Sequence, residues 1–314
     1  MRVWGQRPGQ PGGSTRAMRG DERGSIVSKL QAVVIAAISI LVAGSISGCG
    51  KAAEPKVEPK VAPPAIATAG TLKVGVDMSQ PPFAGEDQGR KAGLDIDVAA
   101  ALADRLGLKV VYVDVKPSDA ATALAAGTAD AVMSVPLADA AAVTQLSLAG
   151  SYIDNGPGLF VSTGSTASVE PSLTLDSVAG RVATQEGSES FWVLRSELDS
   201  ESIAPYESLR AAIEALNAGE EELVAGDILT AAYIARDFPE IHLAGQLRLA
   251  QPLAVAVTAE NTTLGEAIRT ELDALAADGV IDALRRKWVG TLPELETAAS
   301  EESGTVSSEE TVAP

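Results

Sequence analysis

Apolar and polar residues alternate at the start of the central region of the chain, and the pattern then changes to a helical period. Residues 72–76 alternate strictly, which predicts a β-strand. Between residues 94 and 106 apolar positions recur at every fourth residue, and Gly107 follows as a helix stop. The β-branched run 109–115 predicts a second strand. Strand, helix and strand at this spacing indicate a parallel βαβ unit.

The same alternation continues towards residue 288. The later predicted elements are a helix over 120–125, a buried strand over 131–135, strands near 181–184 and 222–224, and helices from about 190, over 208–217, 230–235 and 264–276, and up to Trp288. This order predicts an α/β protein with parallel sheets.

An apolar segment precedes Cys49, the only cysteine of the chain. Six basic residues lie upstream, and the run from residue 31 to residue 48 carries no charge. A basic flank, an apolar run and small residues predict a secretory signal over residues 1–48. The ending Ile46-Ser47-Gly48-Cys49 resembles the lipobox of bacterial lipoproteins, which implies that Cys49 becomes the lipidated first residue. A retained membrane span and a buried free thiol are the alternatives.

Charge and length limit the partners of the mature chain. Without residues 1–48 it has 266 residues, with 18 basic and 40 acidic side chains and a net charge of −22. This charge repels nucleic acid and anionic headgroups, so no nucleic acid partner is expected and the membrane tether must be the lipid. The length is sufficient for two lobes, each with its own core, and a monomer is expected.

Two segments are expected to lie outside the folded body. Residues 49–70 combine Pro, Lys and Glu with few apolar side chains, which predicts an extended linker after the lipidated cysteine. Residues 293–314 are rich in Ser, Glu, Thr and Ala without an apolar stripe, which predicts a disordered acidic tail.

The central region carries a series of short motifs in a characteristic order: Leu72–Asp77, Pro81-Pro82-Phe83, Gly93–Val98, Ala123-Leu124 with Gly127 and Asp130-Ala131, Ser151-Tyr152, and Asp278-Gly279 with Lys287-Trp288. In this order and spacing they resemble the periplasmic amino-acid-binding proteins of ABC importers, the family 3 extracellular solute-binding proteins. The resemblance extends from Thr71 to Gly290.

The resemblance implies an α/β, two-lobed type II periplasmic-binding-protein fold, with two hinge strands and a ligand cleft between the lobes. Lobe 1 would contain residues 71–158 and 254–292, and lobe 2 residues 162–250. The hinges would lie near residues 159–163 and 252–255. The cleft would lie where the strand order reverses, and a hinge motion would close it around the ligand.

The resemblance also implies a function. It is that of a lipid-anchored receptor on the extracytoplasmic face of the bacterial cell membrane, which captures a small polar solute, amino-acid-like or an amine, and delivers it to an ABC permease. Catalysis, cofactors and metals are not expected: His242 is the only histidine, and no cysteine remains in the body. The alternative is a degenerate binding domain that acts as a sensor or envelope interaction protein without transport.

The expected ligand site departs from the family pattern at several positions. Ungapped counting from Asp130 to Tyr152 puts Ala142 where the family has an arginine that binds the ligand's α-carboxylate. The other changed positions are Asp139 in place of a threonine, Ser134 and Val135 at the pair that offers a carbonyl to the ligand ammonium, and Gln80 and Pro117 in place of aromatic residues.

Three features of the family's site are retained: Asp77, Gly187-Ser188 and Asp227. Asp227 resembles the aspartate that binds the ligand's amino group. Gly187-Ser188 opens a helix whose N–H groups favour an anion, or Ser188 is only the N-cap of that helix. Asp77 either contacts the ligand or caps a turn beside Pro81, and Asp139 either lines the pocket or is only solvated.

No lysine or arginine occurs between Lys116 and Arg181, so the cleft is expected to hold acidic groups without a basic partner. A buried carboxylate such as Asp227 needs a cation or hydrogen-bond donors to offset its desolvation. The resulting hypothesis is a ligand that carries an amine or another cation and no free carboxylate, with weak or no binding of ordinary α-amino acids.

Overall fold

The computed structural model describes residues 57–141, 143–163 and 180–297. The predicted signal 1–48 and Cys49 lie outside these ranges, and within them no helix has the length and apolar character needed to cross a membrane. The strands are β1 (Thr71–Val76), β2 (Gly85–Asp87), β3 (Arg90–Ala92), β4 (Lys109–Asp114), β5 (Ala131–Pro136), β6 (Leu146–Asn155), β7 (Pro157–Ser162), β8 (Val182–Gln185), β9 (Ile203–Tyr206), β10 (Leu223–Asp227), β11 (Ile241–Gln246) and β12 (Gln251–Thr258). The helices are α1 (Leu94–Leu106), α2 (Ala120–Ala125), α3 (Leu137–Ala141), α4 (Glu189–Glu197), α5 (Leu209–Ala218), α6 (Ile228–Ala235), α7 (Thr262–Ala277) and α8 (Val280–Val289).

Lobe 1 is built on a five-stranded sheet with the order β4-β1-β5-β12-β6. β1 is parallel to β4 and β5, as the βαβ pattern predicts, whereas β12 is antiparallel to β5 and β6. α1 follows Gly93, whose φ is 148° and where a Cβ would lie 2.1 Å from the carbonyl oxygen of Phe83. Only glycine fits this approach of two backbone segments. The predicted apolar stripe of α1 is buried.

Lobe 2 is built on a second five-stranded sheet with the order β11-β7-β10-β8-β9. β8 is parallel to β9 and β10, and β7 is antiparallel to β10 and β11. The α/β class is therefore confirmed, although the sheets are mixed and not purely parallel. The core of this lobe is a cluster of buried residues: Leu159, Val161, Val182, Leu194, Ile203, Leu223, Ala225, Ala244 and Leu247.

The chain crosses between the two sheets twice, at positions that differ from the predicted hinges. The first crossing is Gly156, between β6 and β7, and the second is residues 247–250, between β11 and β12. The predicted hinge segments 159–163 and 252–255 fall largely within β7 and β12. Gly156 packs closely there, since an added Cβ would lie 3.3 Å from the Cα of Ala250.

Part of the predicted linker packs on lobe 1, which corrects the expectation that residues 49–70 lie outside the fold. Val61 and Ile66 are buried. The Lys60 amide donates to the carbonyl of Leu106 at 2.9 Å, and its ammonium lies 2.5 Å from Glu271. The apolar side chains between the prolines anchor the segment from residue 57 onward, and residues 49–56 lie outside the described ranges.

The start of the predicted tail also packs on the body, at the second crossing. The Ala250 amide donates to the carbonyl of Glu296 at 2.8 Å. The Gln246 side chain donates to the same carbonyl at 3.0 Å and accepts from the Glu296 amide at 2.8 Å. Residues 296 and 297 therefore lie beside the second crossing, where Thr297 forms an isolated parallel bridge with Ala250. Residues 298–314 lie outside the described ranges.

Candidate functional site

The space between the lobes contains two adjoining cavities. The first, here called the lobe-1 cavity, has a volume of about 190 Å³ and is lined mainly by lobe 1. The second, the inter-lobe cavity, has a volume of about 630 Å³ and is lined by both lobes and both crossings. Asn155 and Leu253 line both cavities, so the two form one cleft beside the crossings.

Four residues that the sequence places at the ligand site line the lobe-1 cavity or its border: Asp77, Gln80, Pro117 and Ser134. The Asp77 carboxylate accepts from the Ser79 amide at 3.0 Å and from the Ser79 hydroxyl at 2.6 Å. Asp77 therefore caps a turn, as one alternative predicted, and lines the cavity at the same time.

Asp95 and Ser134 line the lobe-1 cavity, and the buried Tyr152 joins them in one hydrogen-bonded cluster. Asp95 is only 1% exposed. It accepts from the Tyr152 hydroxyl at 2.6 Å and from the Ser134 hydroxyl at 2.7 Å. Burial raises the pKa of Asp95 to about 6, although both hydrogen bonds act in the opposite direction. The cluster is a buried carboxyl group with donors but without a cation.

Ser134 adopts an uncommon backbone conformation, with a φ of 57°. Its amide donates to the Tyr152 hydroxyl oxygen at 3.0 Å. A side chain in the left-handed region is held there by its surroundings, and here the Tyr152 and Asp95 bonds hold it. The cluster thus fixes the end of β5 at the point where the strand reaches the cleft.

The inter-lobe cavity is acidic. Asp139 and Glu189 line it from opposite lobes, and Asp227 lies at the end of β10. Burial raises the pKa of Asp227, and hydrogen bonds from Thr230 and Asn155 lower it. Burial also raises the pKa of Glu189, and the charges of Asp227 and Asp139 add to that shift. The charges of Asp227 and Asp139 therefore both reach Glu189.

Gly187 and Ser188 form the turn into α4, outside the linings of both cavities. The Ser188 hydroxyl accepts from the Phe191 amide at 3.1 Å and donates to the carbonyl of Gln185 at 2.8 Å. Gly187 has a φ of 73°, which a tight turn requires. This geometry matches the N-cap alternative, and Glu189 at the first helical position makes the helix start unfavourable for an anion.

The cleft has one basic side chain, which corrects the expectation that it has none. Arg248, on the second crossing, lines the inter-lobe cavity. Its guanidinium donates to Glu197 at 2.5 Å, so its charge is already paired. In the described part of the cleft, that single arginine therefore faces five carboxyl groups: Asp77, Asp95, Asp139, Glu189 and Asp227. Ala142, the position of the family's arginine, lies outside the described residues.

A further cavity, of about 890 Å³, is lined by β6, Leu229 of α6, α8 and residues 292–297. Sequence reasoning gave it no candidate ligand residue, whereas the cleft contains most of the predicted positions. Across residues 57–141, 143–163 and 180–297, no group of His, Cys, Asp and Glu side chains is arranged to hold a metal ion.

Several residues of the cleft were not identified from the sequence: Asp95, Asn155, Glu189 and Arg248, together with Tyr152, which is hydrogen-bonded to Asp95. Asp95 and Tyr152 belong to motifs that carry the family resemblance, but the motifs alone do not show that the two side chains are hydrogen-bonded to each other. No sequence motif marks Asn155 or Arg248, because they reach the cleft only through their positions at the two crossings between the lobes.

Comparisons with known proteins agree with this architecture. The family model of the bacterial extracellular solute-binding proteins, family 3, matches residues 72–291. The ABC transporter glutamine-binding protein GlnH of Bacillus subtilis (strain 168) is 24% identical over 204 residues, which cover 64% of this chain and 74% of that protein. The L-cystine-binding protein TcyJ of Escherichia coli (strain K12) is 23% identical over 224 residues, covering 70% and 83%. A solved structure of an ancestral cationic amino acid solute-binding protein is 26% identical with a TM-score of 0.61, covering 70% of this chain and 96% of that one.

Proposed function

The chain belongs to the bacterial extracellular solute-binding proteins of family 3, and from that premise we propose that it captures a cationic small solute for an ABC importer. The solute carries an amine or another cation and no free carboxylate. Lobe closure over the cleft retains it, and an ABC permease receives it. The protein acts as a monomer, held on the outer face of the cell membrane by lipid at Cys49.

The acidic character of the cleft is the observation that carries this proposal. Asp139, Glu189 and Asp227 line one cavity, and Arg248, the one arginine among the described residues that line it, is paired with Glu197. Closure would bring these carboxylates closer together and remove water from them, which is costly unless a cation enters between them. A zwitterionic amino acid would place its own carboxylate beside them without a cationic partner.

Each cleft residue receives a proposed role. Asp227 pairs with the ligand cation, and Glu189 and Asp139 close on it from opposite lobes. Asp77, Gln80 and Ser134 contact the remainder of the solute in the lobe-1 cavity. Gly187 and Ser188 position Glu189 through the N-cap of α4.

The relatives support a small ligand of this size, and one of them supports its charge. GlnH and TcyJ are named for glutamine and cystine, and the solved structure at 26% identity is named for cationic amino acids. This chain would share the preference for a cation and differ in lacking a partner for the carboxylate. All three are binding proteins, which favours a binding role over catalysis.

The proposal is tested by thermal unfolding of residues 50–314 with a panel of amino acids, diamines, quaternary amines and small peptides. A ligand at a hundred times its Kd adds about 2.7 kcal/mol, which corresponds to a rise of roughly 5–10 °C in Tm. A rise with amines only is the expected result. A larger rise with glutamine or cystine would overturn the ligand class, and no rise with any compound would favour the interaction-protein alternative.

A further inference from the structure

Asn155 lies where the chain leaves lobe 1. It is the last residue of β6, and its backbone is in register with Gln251 of β12. Gly156 follows as the first crossing, and β7 belongs to the sheet of lobe 2. Asn155 lines both cavities of the cleft. By its backbone, therefore, it is part of lobe 1, at the boundary on which the lobes move.

The side chain of Asn155, in contrast, is bound to lobe 2. Its amide nitrogen donates to the Asp227 carboxylate at 2.5 Å. Its amide oxygen accepts from the Leu229 amide at 3.2 Å. The Asn155 side chain thus donates to one group of lobe 2 and accepts from another, as the amide of an asparagine can.

The first turn of α6 is capped almost entirely from the crossing. The Ile228 amide donates to the carbonyl of Gly156 at 2.9 Å. The next amide, that of Leu229, donates to Asn155, and the Thr230 amide donates to Asp227 at 2.8 Å. A helix start leaves such amides without partners inside the helix. Here the crossing and Asp227 supply the partners, which fixes α6 and Asp227 relative to the crossing.

Donors reach both oxygen atoms of the Asp227 carboxylate. The Thr230 amide donates to Oδ1 and Asn155 donates to Oδ2, and a hydrogen bond from the Thr230 side chain also lowers the pKa of Asp227. A carboxylate offers about four lone-pair sites, so acceptor capacity remains for a cation in the cavity. Removing the Asn155 donor would leave Oδ2 unsatisfied and let the carboxylate rotate about its last side-chain bond.

We propose that Asn155 is the positioning residue for Asp227: it holds that carboxylate charged and oriented towards the cleft, and ties it to the crossing between the lobes. The residue acts through Asp227 and not by contact with the solute alone. Its effect on solute binding rests on the proposed function, whereas its effect on Asp227 does not. The other charged groups that face this carboxylate across the cavity are Glu189 on α4, Asp139 on α3 and Arg248 on the second crossing.

The first test needs no ligand. The titration of the Asp227 side-chain carboxyl carbon is followed by NMR in residues 50–314, with Asp227→Asn to assign the signal. Asn155→Ala should move the midpoint to higher pH, since a donor to the charged form is lost. Asn155→Asp should move it further, because two adjacent carboxyl groups then share a proton. Ser208→Ala removes the N-cap of α5 in the same lobe and should leave the midpoint unchanged.

The second test measures calorimetric affinity for 1,5-diaminopentane at pH 5.5 and pH 8. Asn155→Ala should lose several-fold more affinity at pH 5.5 than at pH 8, whereas a purely structural loss would be equal at both. Equal losses, or an unchanged midpoint in both Asn155 variants, would overturn the positioning role. A shifted midpoint together with no binding of any amine by the wild type would instead refute the proposed function and leave the role of Asn155 standing.

Discussion

Asp95 gives the chain a pH-dependent stability whose sign follows from its surroundings. Burial raises the pKa of Asp95 to about 6 from an ordinary value of 3.8. Between these values the folded protein retains a proton that the unfolded chain has lost. The stability that this proton contributes is complete below about pH 4 and is lost as the pH rises through 6. A shift of one pKa unit corresponds to about 1.4 kcal/mol, so the loss of unfolding free energy is about 3 kcal/mol by pH 7.5. Roughly half of this loss occurs above pH 5.

The substitution Asp95→Asn isolates this effect, because asparagine keeps the shape and cannot ionise. Urea unfolding of wild type and variant at pH 5 and pH 7.5 gives a difference in unfolding free energy at each pH, in which all other titrating groups cancel. The variant should gain about 1–2 kcal/mol relative to wild type between pH 5 and pH 7.5. Asparagine has one side-chain oxygen where aspartate has two, so a hydrogen bond from Tyr152 or Ser134 is lost. This loss changes the difference in unfolding free energy by the same amount at both pH values.

A matched variant tests the physical cause. Ser134→Ala removes one of the two donors to Asp95 and leaves the carboxyl group in place. The pKa of Asp95 should then rise further, and the pH dependence of stability should steepen. If the difference between Asp95→Asn and wild type is the same at both pH values, Asp95 is not a buried group with a raised pKa, and the description of the cluster is wrong.

Three further outcomes are expected. Gln246→Leu should cost about 1–2 kcal/mol of unfolding free energy, since two hydrogen bonds to Glu296 are lost. In a chain truncated after residue 293 the same change should cost almost nothing, and Gln145→Leu, at an exposed glutamine, is the control. Cys49→Ser should abolish incorporation of labelled palmitate and release the protein from membranes, and continued labelling would contradict lipidation at that residue. Glu189→Gln should weaken binding of 1,5-diaminopentane several-fold at pH 7.5 without lowering the resistance of the unliganded protein to urea, because a desolvated charge is removed; unchanged affinity would exclude Glu189 from the site.

The parts of the fold that follow from local pattern were predictable. The strict alternation over 72–76 and the four-residue spacing over 94–106 correspond to β1 and α1, since one buried face imposes its period on the sequence. The pattern of apolar and polar residues does not predict strands β6, β7, β11 and β12. They carry glycine and proline and pair antiparallel near the crossings, so their pattern does not separate one sheet from the next.

The segment before β1 also shows how far sequence composition can predict structure. Residues 57–70 have the composition of a linker, and yet Val61 and Ile66 are buried. A few apolar side chains among prolines suffice to anchor a segment when the surface beneath it is already formed. Composition averages over such positions, whereas packing depends on each of them.

Site residues that belong to a sequence motif could be predicted. Residues that reach the site only through the topology of the chain could not. Asp77, Gln80, Ser134, Asp139 and Asp227 were all named from the sequence and all line the cleft. Asn155 and Arg248 reach the cleft only because the chain crosses between lobes beside it. The ligand roles of the named residues remain proposals.

The most direct test of the central claim is a comparison of two solutes that differ by one carboxylate. Residues 50–314 are titrated calorimetrically with L-lysine and with 1,5-diaminopentane at the same pH and ionic strength. The acidic cleft predicts tighter binding of the diamine, and Asp227→Asn should abolish that binding. Tighter binding of lysine would contradict the account, because it would show that the cleft supplies a partner for the carboxylate.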